Sequence, residues 1–167
     1  MKAVWLLVPA LFVTGACQQK REIRVSDGWV RLSAVRANPS AAYFTLHGGA
    51  KDATLVSVTS PVVIRAEMHE SMSKPALSDA AGGVEGGGPS ASSGGAMMSM
   101  APLKTVALPA GGTVEFKPGG KHVMLYYVNP GVKPGWTMDL RYTFSDGLIL
   151  VRRAKVIGPA DPAPTKE

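Results

Sequence analysis

Two candidate metal ligands lie two residues apart in the segment His122-Val123-Met124. If this segment is a strand, side chains at positions i and i+2 point to the same face. The imidazole of His122 and the thioether of Met124 would then converge on one ion, while Val123 points the other way. A thioether is a poor ligand for zinc, calcium or magnesium but suits Cu(I). The pair therefore indicates a copper site, although a core methionine beside a hydrogen-bonded histidine would give the same pattern.

Further ligands of these two types occur elsewhere in the chain, which has three histidines and eight methionines. His69 ends a predicted strand, and Met97, Met98 and Met100 come just before another. The only cysteine is Cys17, close to the N-terminus, so the domain that follows it has no thiol. Disulfide exchange and thiolate metal binding are thereby excluded for that domain. Methionine is then the soft ligand that remains for a copper ion.

The segments that must position these ligands are short β-type runs separated by turn residues such as Pro118-Gly119-Gly120. No stretch shows sustained helical periodicity with caps. Many short strands at regular spacing predict an all-β sandwich or small barrel. We predict nine strands, at residues 23–30, 41–46, 54–58, 62–68, 104–108, 113–116, 121–128, 137–144 and 148–157.

Composition separates this β domain, residues 22–157, from two segments with little to bury. Residues 74–96 are rich in glycine and serine, and we expect them to form a flexible insertion. The tail, residues 158–167, contains three prolines and is expected to be disordered. The net charge of +6 is moderate, and the basic residues do not cluster as nucleic-acid binding requires. We therefore expect a domain that does not bind nucleic acid, and we also expect it to be a monomer.

The N-terminus has the features of a secretory signal. Lys2 is followed by an apolar run at 3–13 and by small residues at 14–16, directly before Cys17. The apolar run is too short to remain as a membrane-spanning helix. Small residues followed by cysteine resemble a bacterial lipobox, in which the cysteine becomes the lipidated first residue. Thr14 departs from that pattern, because an aliphatic residue is commoner there.

This pattern predicts a signal peptide over residues 1–16, a linker over 17–21 and lipidation of Cys17. The protein would then be periplasmic and attached to a membrane through its lipid. The alternative is an ordinary cleaved signal with an incidental cysteine, which predicts export without an anchor.

The segment from Val106 to Leu125, which ends in the His-x-Met pair, resembles the signature of the PCu(A)C family of periplasmic copper chaperones. That family has a His, a Met after ten intervening residues, and a His-x-Met after 21 more. Met100 and His122 are separated by 21 residues, as in the second gap. The resemblance extends from about residue 23 to residue 157. Other segments that resemble the family are Ala41-Ala42-Tyr43-Phe44, Glu67-Met68-His69-Glu70 and Ser145-Asp146-Gly147.

The resemblance implies a cupredoxin-like, Greek-key β-sandwich or barrel that binds Cu(I) through His69, Met100, His122 and Met124. It also implies a metallochaperone that delivers Cu(I) to an acceptor, such as the copper centre of a terminal cytochrome oxidase or another copper chaperone. Four neutral ligands hold the ion less tightly than thiolates, which favours delivery. We find no candidate nucleophile, paired-carboxylate motif or phosphate-binding loop, and therefore predict no enzyme.

The first gap departs from the family pattern, because 30 residues rather than ten separate His69 from Met100. Tripling a flexible loop adds only about 1 kcal/mol of closure entropy, so the insertion loosens the site without preventing it. It leaves open which methionine binds. Met100 fits the family spacing, Met98 is the reserve candidate, and Met97 or Met72 are further alternatives.

Two other functions remain open. The extra methionines and the flexible insertion would also suit a lipoprotein that sequesters copper for metal tolerance. A structural β-sandwich lipoprotein without metal is the third possibility. Outside the predicted site, Met68 and Met138 are expected in the core, and His47 is expected to cap a turn.

Overall fold

A computed structural model of the chain describes residues 22–73 and 98–165. The predicted signal peptide, lipidation site, linker and flexible insertion lie outside the described residues. The described residues contain no helix, and hence none that could cross a membrane. They form ten strands: β1 (Arg24–Arg31), β2 (Ser40–His47), β3 (Ala53–Thr59), β4 (Val63–Ser73), β5 (Met98–Leu103), β6 (Val106–Leu108), β7 (Thr113–Phe116), β8 (Lys121–Val128), β9 (Thr137–Phe144) and β10 (Ile149–Ile157).

The ten strands form one sheet in the order β5-β4-β8-β7-β2-β1-β10-β9-β3-β6. An additional pairing joins β8 to β2, and the sheet rolls into a nearly closed barrel. Most pairings are antiparallel, whereas β1 with β10 and β7 with β8 are parallel. The predicted all-β architecture is confirmed, and β5 and β6 are the two ends of the sheet among the described residues.

The core is built from the inward-facing residues of strands whose polarity alternates. On β9, for example, Met138, Leu140, Tyr142 and Phe144 are buried. Phe44 of β2 packs edge-on against Tyr142, with ring centroids 4.8 Å apart. Each large apolar side chain buried in this way contributes about 1.5–3 kcal/mol relative to an exposed one. Met68 and Met138 are both core residues, as predicted.

The strands around the candidate site differ from the prediction in two respects. The fourth strand continues through Ser73 rather than ending at Met68, so His69 lies inside it. The strand predicted at 104–108 is shorter in the structure, where it is β6 (Val106–Leu108). A further strand that was not predicted, β5 (Met98–Leu103), precedes it. The sequence conceals β5 because it adjoins the glycine- and serine-rich insertion and contains Pro102, which is unusual in a strand. Backbone pairing to β4, from Met68 opposite Leu103 to Ser73 opposite Met98, is what forms it.

Residues 158–161, at the start of the segment predicted as a disordered tail, contact the barrel through Arg31. The guanidinium Nη1 donates to the carbonyl oxygens of Pro159 at 2.9 Å and Asp161 at 2.7 Å. The backbone N–H of Gly158 in turn donates to the Asp161 carboxylate at 2.7 Å. These bonds fasten the chain immediately after β10.

Candidate metal centre

The antiparallel pairing of β4 and β8 brings the two candidate histidine ligands together. His69 is directly opposite His122, and Glu67 is directly opposite Met124. Directly opposed residues share a face of the sheet, as do residues two apart on one strand. His69, His122 and Met124 therefore share one face, which the sequence predicted for the pair on β8.

This shared face is the outer face of the barrel. Met68 and Val123, which adjoin the histidines in sequence, are opposite each other and belong to the hydrophobic core. Because successive side chains on a strand alternate in direction, the neighbouring histidines point away from that core. The core residues thus fix which way the candidate ligands face, since a register shift of one residue would bury them.

His122 is held by the turn that precedes β8. In Pro118-Gly119-Gly120, Gly119 has a φ of +76°, a left-handed conformation that glycine adopts without strain. The turn places the carbonyl oxygen of Gly120 at 2.9 Å from Nδ1 of His122. A carbonyl oxygen only accepts hydrogen bonds, so Nδ1 carries the proton and Nε2 carries the lone pair. His122 is only 8% exposed, and Nε2 is the ring nitrogen that is available to a metal ion.

His69 is held differently, by a side chain of its own strand. Its Nε2 lies 3.3 Å from Oε2 of Glu67, and its side chain is 14% exposed. Its Nδ1 is buried and has no hydrogen-bond partner. Such a group costs about 1–3 kcal/mol when left unsatisfied, so an unpartnered nitrogen in this position fits a ligand-binding role.

The two imidazole rings are close enough to share an ion. Their centroids are 6.1 Å apart and their planes are inclined by 28°. An imidazole nitrogen binds a metal ion at about 2 Å in the plane of its ring, so this separation allows one nitrogen of each ring to reach an ion that lies at the edge of both rings. Among residues 22–73 and 98–165, no three His, Cys, Asp or Glu side chains are placed to hold a metal. The thioether of Met124 lies on the same face as the two imidazoles, and a donor set of imidazole and thioether suits a soft ion such as Cu(I).

Met124 is connected to His69 through a chain of contacts on the same face. The hydroxyl of Tyr126 donates to Sδ of Met124 at 3.6 Å. The guanidinium carbon of Arg65 lies 4.2 Å from the centroid of the Tyr126 ring. Nε of Arg65 is 3.4 Å from Oε1 of Glu67, whose other oxygen contacts His69. The contacts thus link one candidate ligand on β4 to another on β8.

Arg65, Glu67 and Tyr126 of this face are not among the site residues predicted from the sequence. A signal was nevertheless present. Arg65 and Glu67 precede His69 by four and two residues, and Tyr126 follows Met124 by two. The same two-residue period that predicts a shared face for His122 and Met124 extends to all of these positions.

Met100 lies on the neighbouring strand β5, at the end of the sheet. It is opposite Ser71, while Pro102 is opposite His69, so Met100 and His69 are diagonal neighbours. Diagonal neighbours across a ladder are about 7–8 Å apart. Met98 is opposite Ser73, one further step from His69 along the ladder. The register therefore favours Met100 over Met98, and the Met100 side chain is 54% exposed.

The third histidine belongs to another part of the barrel. His47 ends β2, and its Nε2 is 2.9 Å from Oγ of Ser26 on β1. Its backbone neighbours across the sheet are Arg24 and Thr113. His47 was expected to cap a turn, and instead it contacts a serine side chain. It provides a natural control for experiments on His69 and His122.

The fold is shared with solved copper-protein domains. The copper-bound PCuAC domain of PmoF2 superposes with a TM-score of 0.60 at 17% identity, over 84% of this chain and 96% of that domain. The apo PCuAC domain of PmoF1 gives 0.58 at 21% identity, over 84% of this chain and 97% of that domain. Cu(I)-bound DR1885 from Deinococcus radiodurans gives 0.51 at 25% identity, over 85% of this chain and 83% of that protein.

The structural likeness confirms the cupredoxin-like fold that the resemblance implied. No curated protein matches the sequence. The sequence profile of the LpqE-like family, described as lipoproteins, matches residues 23–151, which is most of the described domain. The chain therefore belongs to the LpqE-like family and has the fold of PCuAC domains.

Proposed function

We propose that this protein is an exported metallochaperone that binds one Cu(I) and passes it to an acceptor protein. The observation that carries the proposal is the direct pairing of His69 with His122 across the ladder, with Met124 on the same face. In the proposed site these three residues and Met100 are the ligands, and Met98 is the reserve for Met100.

The chemistry of the candidate ligands supports Cu(I) as the cargo. Two imidazoles and two thioethers form a neutral set of borderline and soft donors, which suits Cu(I) better than zinc or magnesium. His122 has Nε2 available and His69 has an unpartnered Nδ1. Solved structures of the same fold are described as copper-bound and as Cu(I)-bound.

The exposure of the candidate ligands supports transfer rather than permanent storage. His122 is buried and His69 is nearly buried, whereas Met100 is 54% exposed and lies on β5, the strand at one end of the sheet among the described residues. An incoming ligand from an acceptor therefore reaches Met100 first and can replace it while the two histidines still hold the ion. Stepwise replacement avoids releasing free Cu(I).

The proposal also covers the protein that accepts the copper and the place where this protein acts. The acceptor would be the copper centre of a terminal oxidase or another copper chaperone, and lipidated Cys17 would keep the domain at the periplasmic face of a membrane. The family match to LpqE-like lipoproteins supports such an anchor. We assign no enzymatic step to the protein.

Titration of the purified protein with Cu(I) against a competing chelator tests the binding step. We expect one Cu(I) per chain and loss of that affinity when His122 and Met124 are both replaced by alanine. The matched control is His47→Ala with Met68→Leu, which alters one histidine and one methionine away from the proposed ligands. An unchanged Cu(I) affinity in the variant that lacks both His122 and Met124 would show that the site assignment is wrong.

The number of Cu(I) ions bound in the same titration distinguishes a copper chaperone from a protein that sequesters copper. Methionines that are neither proposed ligands nor core residues, such as Met72 and Met97, would allow additional ions to bind outside the proposed site. Several Cu(I) ions per chain, with no transfer to a soluble copper-binding fragment of an oxidase, would favour a tolerance protein. Complete absence of binding would favour a structural domain without metal.

A further inference from the structure

The carboxylate of Glu67 is hydrogen-bonded to the His69 ring. Glu67 is not among the proposed ligands. Its carboxylate joins two groups: Oε2 is 3.3 Å from Nε2 of His69, and Oε1 is 3.4 Å from Nε of Arg65. It also lies directly opposite Met124 in the ladder. Glu67 therefore lies between candidate ligands on both strands.

The contact between Glu67 and His69 determines where the ring carries its proton. An ionised carboxylate only accepts hydrogen bonds, so Nε2 of His69 must donate. In a neutral imidazole the other nitrogen then carries the lone pair. That nitrogen is Nδ1, the atom that is buried without a partner.

His122 has the opposite arrangement. Its Nδ1 donates to the carbonyl oxygen of Gly120, which leaves the lone pair on Nε2. Two histidines that face each other across one ladder thus present different nitrogens. Each is fixed by its own hydrogen-bond acceptor, a backbone carbonyl for His122 and a carboxylate for His69.

We propose that Glu67 is a positioning residue that fixes the tautomer of His69, so that His69 binds Cu(I) through Nδ1 and His122 binds it through Nε2. This inference rests on the proposed function, because it concerns the same site. A carboxylate that accepts the second N–H of a metal-bound histidine fixes the ring orientation and raises its basicity.

Arg65 and Tyr126 keep Glu67 in place and extend its effect to Met124. Arg65 is paired with the Glu67 carboxylate and lies over the Tyr126 ring. The Tyr126 hydroxyl donates to the Met124 sulfur, which has a second lone pair for a metal ion. The arrangement of these three side chains orients one imidazole and one thioether on opposite strands.

Long-range proton–nitrogen correlation spectra of the nitrogen-15-labelled protein test the assignment directly, because they distinguish the two imidazole nitrogens. In the metal-free protein, at a pH where imidazoles are neutral, we expect a proton on Nε2 of His69 and on Nδ1 of His122. Cu(I) is diamagnetic, so the same spectra can be recorded after loading. We then expect the metal-induced shift at Nδ1 of His69 and at Nε2 of His122. Coordination of His69 through Nε2 would overturn the proposal.

Substitutions at Glu67 test its role separately. Glu67→Ala removes the acceptor, and we expect a mixture of His69 tautomers together with a Cu(I) affinity lowered by about 10- to 100-fold. Glu67→Gln has one acceptor oxygen for two donors, Arg65 and Nε2 of His69, and its NH2 group donates, so it should not restore the single wild-type tautomer. An unchanged tautomer and affinity in Glu67→Ala would contradict the positioning role.

Glu70→Gln is the matched control. Glu70 follows His69 on the same strand but pairs with Lys121, with Nζ and Oε1 2.6 Å apart, and has no described contact with the imidazole. We expect this variant to keep the wild-type tautomers and affinity. An equal loss in Glu70→Gln and Glu67→Ala would point to a general charge effect and overturn the specific role of Glu67.

Failure of this inference and failure of the proposed function give different results. If the wild-type protein does not bind Cu(I), the proposed function fails, while the metal-free spectra still decide whether Glu67 fixes the His69 tautomer. If the wild type binds Cu(I) and Glu67→Ala behaves identically, only the inference about Glu67 fails.

Discussion

His69 on β4 and His122 on β8 are opposite each other in an antiparallel ladder, with ring centroids 6.1 Å apart. They are 53 positions apart in the chain, and backbone pairing alone brings them together. Because their sequence neighbours Met68 and Val123 are core residues, the hydrophobic core sets the direction of both rings. The geometry of the candidate site is therefore inherited from the register of two strands.

The first prediction concerns the two histidines. Removal of a residue that only supports a metal ligand typically lowers metal affinity by about 10- to 100-fold. We expect a larger loss of Cu(I) affinity in His69→Ala and in His122→Ala, because each removes a proposed ligand. The measurement is competition with a Cu(I) chelator, and thermal unfolding of the metal-free variants monitors the fold. His47→Ala should retain wild-type affinity, and a loss there equal to that of His69→Ala would argue against a specific site.

The second prediction separates the two candidate methionines on β5. Met100 is diagonal to His69 in the ladder, whereas Met98 is one step further away. We therefore expect Met100→Leu to weaken Cu(I) binding and Met98→Leu to leave it nearly unchanged. X-ray absorption of the Cu(I)-loaded variants would count the sulfur ligands, with one fewer expected in Met100→Leu. The reverse ranking would make Met98 the ligand.

The third prediction concerns the insertion. Deleting 20 residues between positions 74 and 97 would restore the ten-residue gap of the PCu(A)C pattern between His69 and Met100. The connection between Ser73 and Met98 would shorten from 24 residues to four, which reduces the entropic cost of closing it by roughly 1.5 kcal/mol, so we expect a small gain in unfolding free energy. Cu(I) affinity should be retained or raised. Loss of binding in a folded deletion variant would show that the insertion itself supplies a ligand.

The fourth prediction concerns a core hydroxyl and high pH. Burial raises the pKa of Tyr142, opposed in part by Arg152, and burial likewise raises the pKa of Tyr43. The native state therefore holds these protons more tightly than the unfolded chain, in which tyrosine titrates at about pH 10. The corresponding stability is present below that pH and is lost as the pH rises above it.

Tyr142→Phe tests this dependence. The variant should flatten the decline of unfolding free energy at alkaline pH, measured by chemical denaturation across the pH range. Because the hydroxyl of Tyr142 is buried without a hydrogen-bond partner, its removal should also be neutral or stabilising at neutral pH. Tyr127→Phe, at an exposed position, is the control. An identical alkaline slope in wild type and Tyr142→Phe would contradict the expectation.

Short strand-like runs separated by turn residues predict the all-β fold, and the two-residue period of a strand predicts the shared face of His122 and Met124. That period is a local property, because it depends only on the alternation of side chains along one strand. Core positions such as Met68 and Met138 follow from the same alternation. Most strand boundaries were consequently predicted to within one or two residues.

The features that the sequence did not reveal depend on partners distant in the chain. β5 has weak local signals and exists through its pairing with β4. The polar contact between Glu67 and His69 depends on side-chain rotamers, which no spacing rule specifies. The ligand roles of His69, Met100, His122 and Met124, and the lipidation of Cys17, stay predictions.

The position of β5 at the end of the sheet has an evolutionary consequence. Two imidazoles and one thioether are carried by β4 and β8, which are paired with each other, whereas Met100 is carried by a strand that joins the sheet on one side only among the described residues. We therefore expect changes in the length of the insertion before β5 to act on Met100, the proposed fourth ligand, more than on the core or on the three proposed ligands of β4 and β8. In the proposed chaperone, selection on the length of the insertion can thus adjust the rate of copper release independently of the stability of the fold.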